Sequence, residues 1–169
     1  MYRHFSNKFW WLIILTILTL LIFLGFGIPS ETVIAAATKV EVSPGEVLYR
    51  QENKLVDTKG NSWDVILTKR VYSEQKPTIY LRLIGCPGAG ELLHPQPMQI
   101  ISSSGIIWKA KDIFLDEAPA PTIGQYNLMN ILSELPTDNL HLVLPLGRKH
   151  FVNILVPQNI VQQWQELAN

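Results

Sequence analysis

Apolar and polar side chains alternate along several short segments of this chain. Between residues 63 and 71, Trp63, Val65 and Leu67 alternate with polar side chains. Successive side chains of a strand point to opposite faces, so this period of two indicates a strand with one buried face. The alternation recurs in segments 78–84 and 140–146, and segments 45–50, 54–57, 98–102, 106–111 and 151–156 are also strand-like. Together the segments predict about seven strands.

Two segments show the apolar spacing of a helix instead. In residues 128–135 the apolar side chains fall at i, i+3, i+4 and i+7, and Pro136 follows as a stop. In residues 158–168 one face is apolar and carries Ile160, Val161, Trp164 and Leu167. Strands that follow one another without intervening helices pair antiparallel. We therefore predict an α+β fold, mainly an antiparallel curled sheet or partly open barrel, with one short internal helix and a C-terminal amphipathic helix.

The first 37 residues have the order of an export signal. A short basic start with Arg3 and Lys8 precedes the uncharged segment 9–28, and Ala35 and Ala37 provide the small side chains that signal peptidase requires. We predict that residues 1–37 are a cleaved signal peptide. Because no arginine pair precedes the apolar segment, the general secretory route is expected.

The same segment also fits an uncleaved N-terminal membrane anchor. A helix over residues 9–28 would extend about 30 Å, enough to cross a bilayer. Both hypotheses place the remaining chain on the extracytoplasmic side, because the basic residues precede the apolar segment. Residues 38–44 are interpreted as a linker and residues 45–169 as a single globular domain. Membrane contact is expected only through the N-terminal segment, if that segment is retained.

Composition narrows the classes of function. The chain has 14 Lys and Arg against 14 Asp and Glu, without a basic stripe, so no nucleic-acid partner is predicted. Cys86 is the only cysteine, which excludes an internal disulfide framework and a multi-cysteine zinc site. We expect its thiol to be buried, as free cysteines usually are.

The most unusual stretch is residues 84–98, IGCPGAGELLHPQPM. Glycines permit sharp turns and prolines restrict the backbone, and a rigid loop of this kind between strands often serves binding. The alternative is that the loop only connects two parts of the sheet. The candidate binding residues are Gly85, Pro87, Gly88, Glu91, His94, Pro95 and Pro97.

Sharper chemistry in this loop has weaker support. Cys86, Glu91 and His94 are all metal-ligand types, but their spacing matches no recognised metal site. Cys86 as a nucleophile with His94 or His141 as base lacks an orienting third residue. The glycines resemble a phosphate loop, but no helix start or lysine follows them. We therefore predict no catalytic residue, no metal and no cofactor.

A second stretch follows the predicted strand 106–111. Asp112, Asp116 and Glu117 are interpreted as a solvated acidic face, because the Gly-turned loop of a calcium site is missing. The Pro-rich arm after them, residues 118–121, favours an extended conformation and is a candidate partner contact.

The order of these motifs resembles a family of exported cyanobacterial proteins catalogued only as a domain of unknown function. The resemblance rests on GEVLYR, DTKGNSWDVILTKR, IYLRLIGCPG, ELLHPQPMQI, LPTDNLHLVLPL and VPQNIVQQWQ. It extends from about Gly45 to the C-terminal helix. In the family's GFPG stretch an aromatic residue occupies the position of Cys86, which implies a packing site. The resemblance also implies a thylakoid-lumen or periplasmic location, but no activity.

Two functional hypotheses follow. The first is a non-enzymatic accessory or binding protein of the thylakoid lumen or periplasm, with a membrane protein complex as its partner. The second is a small periplasmic hydrolase or ligand-binding protein that uses the 84–98 loop. A cavity lined by both Glu91 and His94 would favour the second hypothesis, whereas structural hydrogen bonds from both would favour the first.

Overall fold

A computed structural model of the chain describes residues 11, 13–17, 38–43, 45–73, 75–115, 118–147 and 150–168. The chain divides into two units, Met1–Val33 and Ile34–Asn169. In the first unit the described residues are helical. The predicted signal or anchor comprises residues 1–37, and all of it except residues 11 and 13–17 lies outside the described residues. Within the described part, no helix has the length and apolar character needed to cross a bilayer.

The described residues of the second unit form nine strands and one α-helix. The strands are β1 (Thr38–Ser43), β2 (Glu46–Val56), β3 (Ser62–Tyr72), β4 (Gln75–Gly85), β5 (Met98–Ser102), β6 (Ile107–Asp112), β7 (Ile123–Asn127), β8 (Leu140–Leu146) and β9 (His150–Val156). A 3-10 turn, Leu132–Glu134, precedes β8, and the helix α1 (Gln158–Ala168) follows β9.

All neighbouring strands pair antiparallel, in the sheet order β1-β2-β3-β4-β7-β6-β5-β8-β9. The sheet curls until β9 meets the end of β2. There Asp57 forms an isolated bridge with Ile154, and Thr58 N donates a 3.0 Å hydrogen bond to Asn153 O. One bridge does not make a ladder, so the sheet is not closed into a barrel.

The hydrophobic core lies on the inner face of the curled sheet. Its largest fully buried side chains include Trp63, Trp164 and Tyr126. Helix α1 packs its apolar residues Ile160, Val161, Trp164 and Leu167 into this core. Antiparallel sheets can leave one face to water, and the central parts of β2–β4 alternate buried inward-facing positions with more exposed outward-facing ones, except at the buried Ile66.

The strand-rich antiparallel fold and the C-terminal helix are confirmed, but the count of about seven strands is wrong. Segments 45–50 and 54–57 belong to the single strand β2. Most of segment 38–44, interpreted as a linker, is strand β1, in which Val40 pairs with Leu48. Strand β1 lies at the sheet edge, and residues 38–41, whose exposure is described, are all exposed, so this part of the segment shows no buried face.

The predicted helix over residues 128–135 is also wrong in conformation. Only Leu132–Glu134 form a 3-10 turn. Asn127 Oδ1 accepts a 2.9 Å hydrogen bond from Met129 N, which makes a local turn and not a helix cap. Leu128, Leu132 and Leu135 are nevertheless buried, so their spacing predicted the burial correctly.

Candidate functional site

The 84–98 loop connects β4 to β5 and is fixed to the rest of the fold by its backbone. Leu92 N donates to Pro121 O at 2.8 Å, and Leu93 N donates to Pro145 O at 3.0 Å. Leu92 also forms an isolated bridge with Leu146, and its side chain is buried. Because the loop is bonded to two separate segments, its conformation is set by the fold itself.

Two glycines permit this close packing. A Cβ on Gly85 would lie 2.9 Å from Trp63 Cη2 and 2.9 Å from Ala89 Cβ. Gly90 has φ +112°, and a Cβ there would lie 2.9 Å from Leu146 Cδ1. Gly85, a candidate binding residue from the sequence, is buried and packs against Trp63 and Ala89.

The remaining candidates, apart from His94, lie on the loop's outside. These five residues are exposed: Pro87, Gly88, Glu91, Pro95 and Pro97. Leu93, which lies beside them, is 41% exposed. The Leu92–Pro121 hydrogen bond places the Pro-rich arm, residues 118–121, against this loop. We name the combined area the loop–arm surface and define it by Pro87, Leu93, Pro95, Pro97, Pro119 and Pro121.

His94 turns inward and pairs with Asp112 at the end of β6. Its Nδ1 donates a 2.6 Å hydrogen bond to Asp112 Oδ2, and the two side chains are 9% and 0% exposed. The other oxygen, Asp112 Oδ1, accepts a 3.1 Å hydrogen bond from Phe114 N. The interpretation of Asp112 as part of a solvated acidic face is therefore wrong. It follows Ala110 at the inward-facing alternate position of β6.

Tyr126 lies next to this pair, directly opposite Asp112 in the β6–β7 ladder. Burial, and secondly the charge of Asp112, raise the pKa of Tyr126, so its hydroxyl stays protonated. Tyr126 OH and His94 Nε2 are buried and have no hydrogen-bond partner among the described residues. His94 also contacts Phe114 edge to face, with 5.7 Å between the ring centroids.

A hydrogen-bonded His–Asp pair orients the general base in many hydrolases, but this pair lacks what such chemistry requires. A general base must reach the proton that it removes, and His94 Nε2 is shielded from solvent. Among the described residues, no three His, Cys, Asp or Glu side chains converge in a way that could hold a metal ion. His94 has a structural role, because its hydrogen bond to Asp112 links the 84–98 loop to β6.

A surface pocket of about 440 Å³ lies beside the loop. It is lined by Lys59, Asn61, Gly88, Ala89, Gly90, Glu91, Leu146, Gly147 and His150. Glu91 lines this pocket, but His94 does not. Glu91 and His94 therefore face different surroundings and do not form an acid–base pair.

Residues 35–167 match the model of a family described as a protein of unknown function, DUF3122. The chain belongs to this family. The match confirms the resemblance to a domain of unknown function, while a cyanobacterial origin stays a prediction. No curated protein and no solved structure matches the chain.

In this DUF3122 domain, the GCPG and ELLHPQP stretches both lie in the 84–98 loop. Cys86 N donates to Ser62 O at 3.0 Å, and Ala89 N donates to Cys86 O at 3.0 Å. The thiol is free and partly buried, and Cys86 packs against the core cluster. This position agrees with the packing role that the resemblance implies.

The residue that sequence reasoning missed is Asp112. Its neighbours Asp116 and Glu117 suggested a solvated acidic run, whereas the alternation of β6 places Asp112 on the inner face with Ala110. Extending the predicted strand 106–111 by one residue would have placed the carboxylate inside. A buried carboxylate needs hydrogen-bonding partners, and His94 provides one of them.

Proposed function

We propose that this protein is an exported, non-enzymatic binding protein of the thylakoid lumen or periplasm that assists a membrane protein complex through its loop–arm surface. The observation that carries the proposal is the anchoring of an exposed, proline-rich loop by Leu92, Leu93 and His94. These contacts fix the loop before a partner binds, so little conformational entropy is lost on contact.

The apolar side chains of the loop–arm surface favour a protein partner. Leu93 of this surface is 41% exposed. Leu115, which is not one of its defining residues but follows the His94 contact residue Phe114, is 68% exposed. Exposed apolar side chains beside prolines give a partner rigid area to bury, which is how interfaces gain much of their affinity. The balanced charge of the chain argues against electrostatic steering as the means of finding the partner.

The second hypothesis, a small hydrolase or ligand-binding protein, draws on the 440 Å³ pocket beside the loop. Pockets of this size are common at small-molecule sites. The enzymatic form of this hypothesis is disfavoured by the burial of His94 Nε2. The ligand-binding form remains an outcome of the test below.

We expect Leu93→Glu to weaken binding to the partner complex about tenfold or more, because it places a charge in the centre of an apolar contact. Tagged protein is used to recover the complex from solubilised membranes, and the affinity of the purified complex is then measured. Leu155→Glu is the matched control, since Leu155 has a similar exposure of 46% but lies on the outer face of β9. Both variants should melt close to the wild type.

The accessory-protein proposal fails if Leu93→Glu retains its partner with unchanged affinity. It also fails if Glu91→Gln abolishes binding or turnover of a small molecule while Leu93→Glu does not. In that case the pocket, and not the loop–arm surface, is the functional site.

We expect the mature protein to begin at or near Thr38. Cleavage after Ala37 satisfies the requirement for small side chains at the cut, and the family match begins close by, at residue 35. On the general secretory route export precedes folding, so strand β1 does not obstruct the peptidase. Sequencing the N-terminus of protein from its native cell decides the question. If the protein still carries residues 9–28, this segment is a membrane anchor and not a cleaved signal.

A further inference from the structure

Three arginines from three adjacent strands lie on the outer face of the sheet, away from the core, and line one groove. In the ladder, Arg50 of β2 is opposite Thr68, and Leu48 is opposite Arg70 of β3. Arg82 of β4 is opposite Ile66 of β3 and opposite Gln125 of β7. They line a groove of about 300 Å³ together with Leu48, Ile66, Thr68, Tyr80, Ile84 and Gln125. We name it the arginine groove.

The floor of the arginine groove is apolar. Ile66 points to the outer face of β3, yet it is only 5% exposed. Long arginine side chains cover apolar surface with their stems while their charged heads stay in water, which accounts for this burial. Leu48 and Ile84 extend the apolar area along the neighbouring strands. Leu48 and Ile84 therefore offer apolar contact to a ligand, and the guanidinium groups of the three arginines offer positive charge.

The positive charge of the groove is only partly balanced. Among the nine residues that line it, three are arginines and none is a carboxylate. Arg50 pairs with Glu52 at 2.9 Å, and both side chains are about half exposed. Arg70 pairs with Glu46 at 3.1 Å. The exposed pair of Arg50 contributes little to stability, so an anionic ligand can replace it at small cost, whereas Glu46 in the pair of Arg70 is only 19% exposed.

Arg82 differs from the other two arginines because its partner is neutral. Its Nε donates a 2.8 Å hydrogen bond to Gln125 Oε1. This bond holds the guanidinium against β7, at one side of the groove, without neutralising it. A guanidinium held in this way presents its remaining N–H groups to a carboxylate or phosphate, for which its planar fork is well suited.

We propose that the arginine groove binds a single anionic amphiphile, a carboxylate or phosphate group on an apolar chain. The guanidinium of Arg82, supported by Arg50 and Arg70, holds the anion, and the chain lies over Leu48, Ile84 and the arginine stems that cover Ile66. The volume of about 300 Å³ is at the lower end of the range for small-molecule sites, which fits one ligand molecule. This site goes beyond the proposed partner binding, since no residue that defines the loop–arm surface lines it.

The test uses decyl phosphate below its micelle concentration and measures binding by calorimetry, with the Arg82 Nε–H resonance as a local readout. Inorganic phosphate probes the anion alone, and decyltrimethylammonium carries the same chain with a charge of opposite sign. We expect the wild type to bind decyl phosphate and to shift the Arg82 resonance. Arg82→Gln should weaken binding about tenfold or more through loss of charge-assisted hydrogen bonds.

Lys54→Gln is the matched control. Lys54 lies on the same outer face of β2, its side chain is 73% exposed, and it does not line the groove. This variant should bind decyl phosphate as the wild type does, and both variants should keep the wild-type melting temperature. The proposal is overturned if decyl phosphate does not bind, or if Lys54→Gln weakens binding as much as Arg82→Gln. It is also overturned if inorganic phosphate or decyltrimethylammonium binds equally well, or if only phosphatidylglycerol vesicles bind.

Discussion

Trp164→Ala should lower the free energy of unfolding by about 3–5 kcal/mol, the usual cost of truncating a large buried aromatic side chain. Trp164 is 0% exposed and lies at the centre of the apolar face by which α1 covers the inner side of the sheet. Removing the indole leaves a cavity that the rigid sheet cannot close. Denaturant unfolding followed by circular dichroism measures the change.

The hydrogen bonds around α1 decide which control is suitable. Gln163 accepts a hydrogen bond from Gln51, and Gln165 Nε2 donates to Leu135 O at 2.6 Å, so neither is a neutral position. Gln162 is exposed, and Gln162→Ala should change the free energy of unfolding by less than about 0.5 kcal/mol. Equal losses for Trp164→Ala and Gln162→Ala would contradict the packing of α1 against the sheet.

Trp164→Phe separates packing from polar contributions. The indole Nε1 is buried without a hydrogen-bond partner among the described residues. Replacing the indole with phenylalanine removes this unsatisfied donor as well as some volume, so the loss should be clearly smaller than for alanine.

Helix α1 was predictable from sequence because its spacing is a local property. Ile160, Val161, Trp164 and Leu167 repeat at the helical period, and all four are buried on one face. The segment 128–135 shows the limit of the same argument. Leu128 N donates to Ile79 O at 3.0 Å, a bond to β4 that replaces the start of a helix. Tertiary contacts there determine the conformation, while the apolar spacing determines the burial.

Strand β7 could not be predicted because its reason lies elsewhere in the chain. The segment IGQYN has one small and two polar side chains, so it lacks a clear apolar period. It becomes a strand by pairing with β4, where Leu83 is opposite Gly124. Gly124 is required there because a Cβ would lie 2.8 Å from Tyr126 OH.

The candidate site was predictable only as far as its features are local in the sequence. Glycine and proline identify the 84–98 loop locally, and Pro87, Pro95 and Pro97 are exposed on it. The His94–Asp112 hydrogen bond joins residues that are 18 positions apart and depends on the curl of the sheet. The arginine groove likewise depends on strand register, since Arg50, Arg70 and Arg82 have no local pattern that unites them.

The second large effect is expected at Asp57, which organises the turn between β2 and β3. Its carboxylate accepts hydrogen bonds from Lys59 N at 2.8 Å, Asn61 N at 2.9 Å, Asn61 Nδ2 at 2.9 Å and Trp63 Nε1 at 3.1 Å. Its backbone forms the bridge to Ile154 by which β9 meets the end of β2. One side chain therefore holds the turn, the core residue Trp63 and the point where the sheet nearly closes.

Asp57→Asn should lower the free energy of unfolding at neutral pH by about 2–4 kcal/mol. The substitution keeps the shape but places an amide NH₂ where a carboxylate oxygen accepts hydrogen bonds. At least one buried donor, such as Trp63 Nε1–H, then loses its acceptor, and the remaining bonds lose their charge assistance. Asp64→Asn is the matched control, because Asp64 is partly exposed and its 3.6 Å pair with Lys54 is worth little.

This loss should depend on pH in a defined direction. Burial alone raises the pKa of Asp57, but the hydrogen bonds from Asn61, Trp63 and Lys59 outweigh it and bring the pKa below the ordinary value of 3.8. A pKa that is lower in the folded than in the unfolded state gives stabilisation that is complete above the unfolded pKa and is lost as pH falls through the folded pKa. The difference in free energy of unfolding between wild type and Asp57→Asn should therefore be constant near neutral pH and shrink below about pH 3.8.

Urea unfolding of both proteins between neutral pH and that acid range measures this difference, and acid effects on other groups cancel in it. A difference that stays constant or grows on acidification would show that Asp57 is not stabilised as a carboxylate, and that the turn is held by its backbone bonds alone.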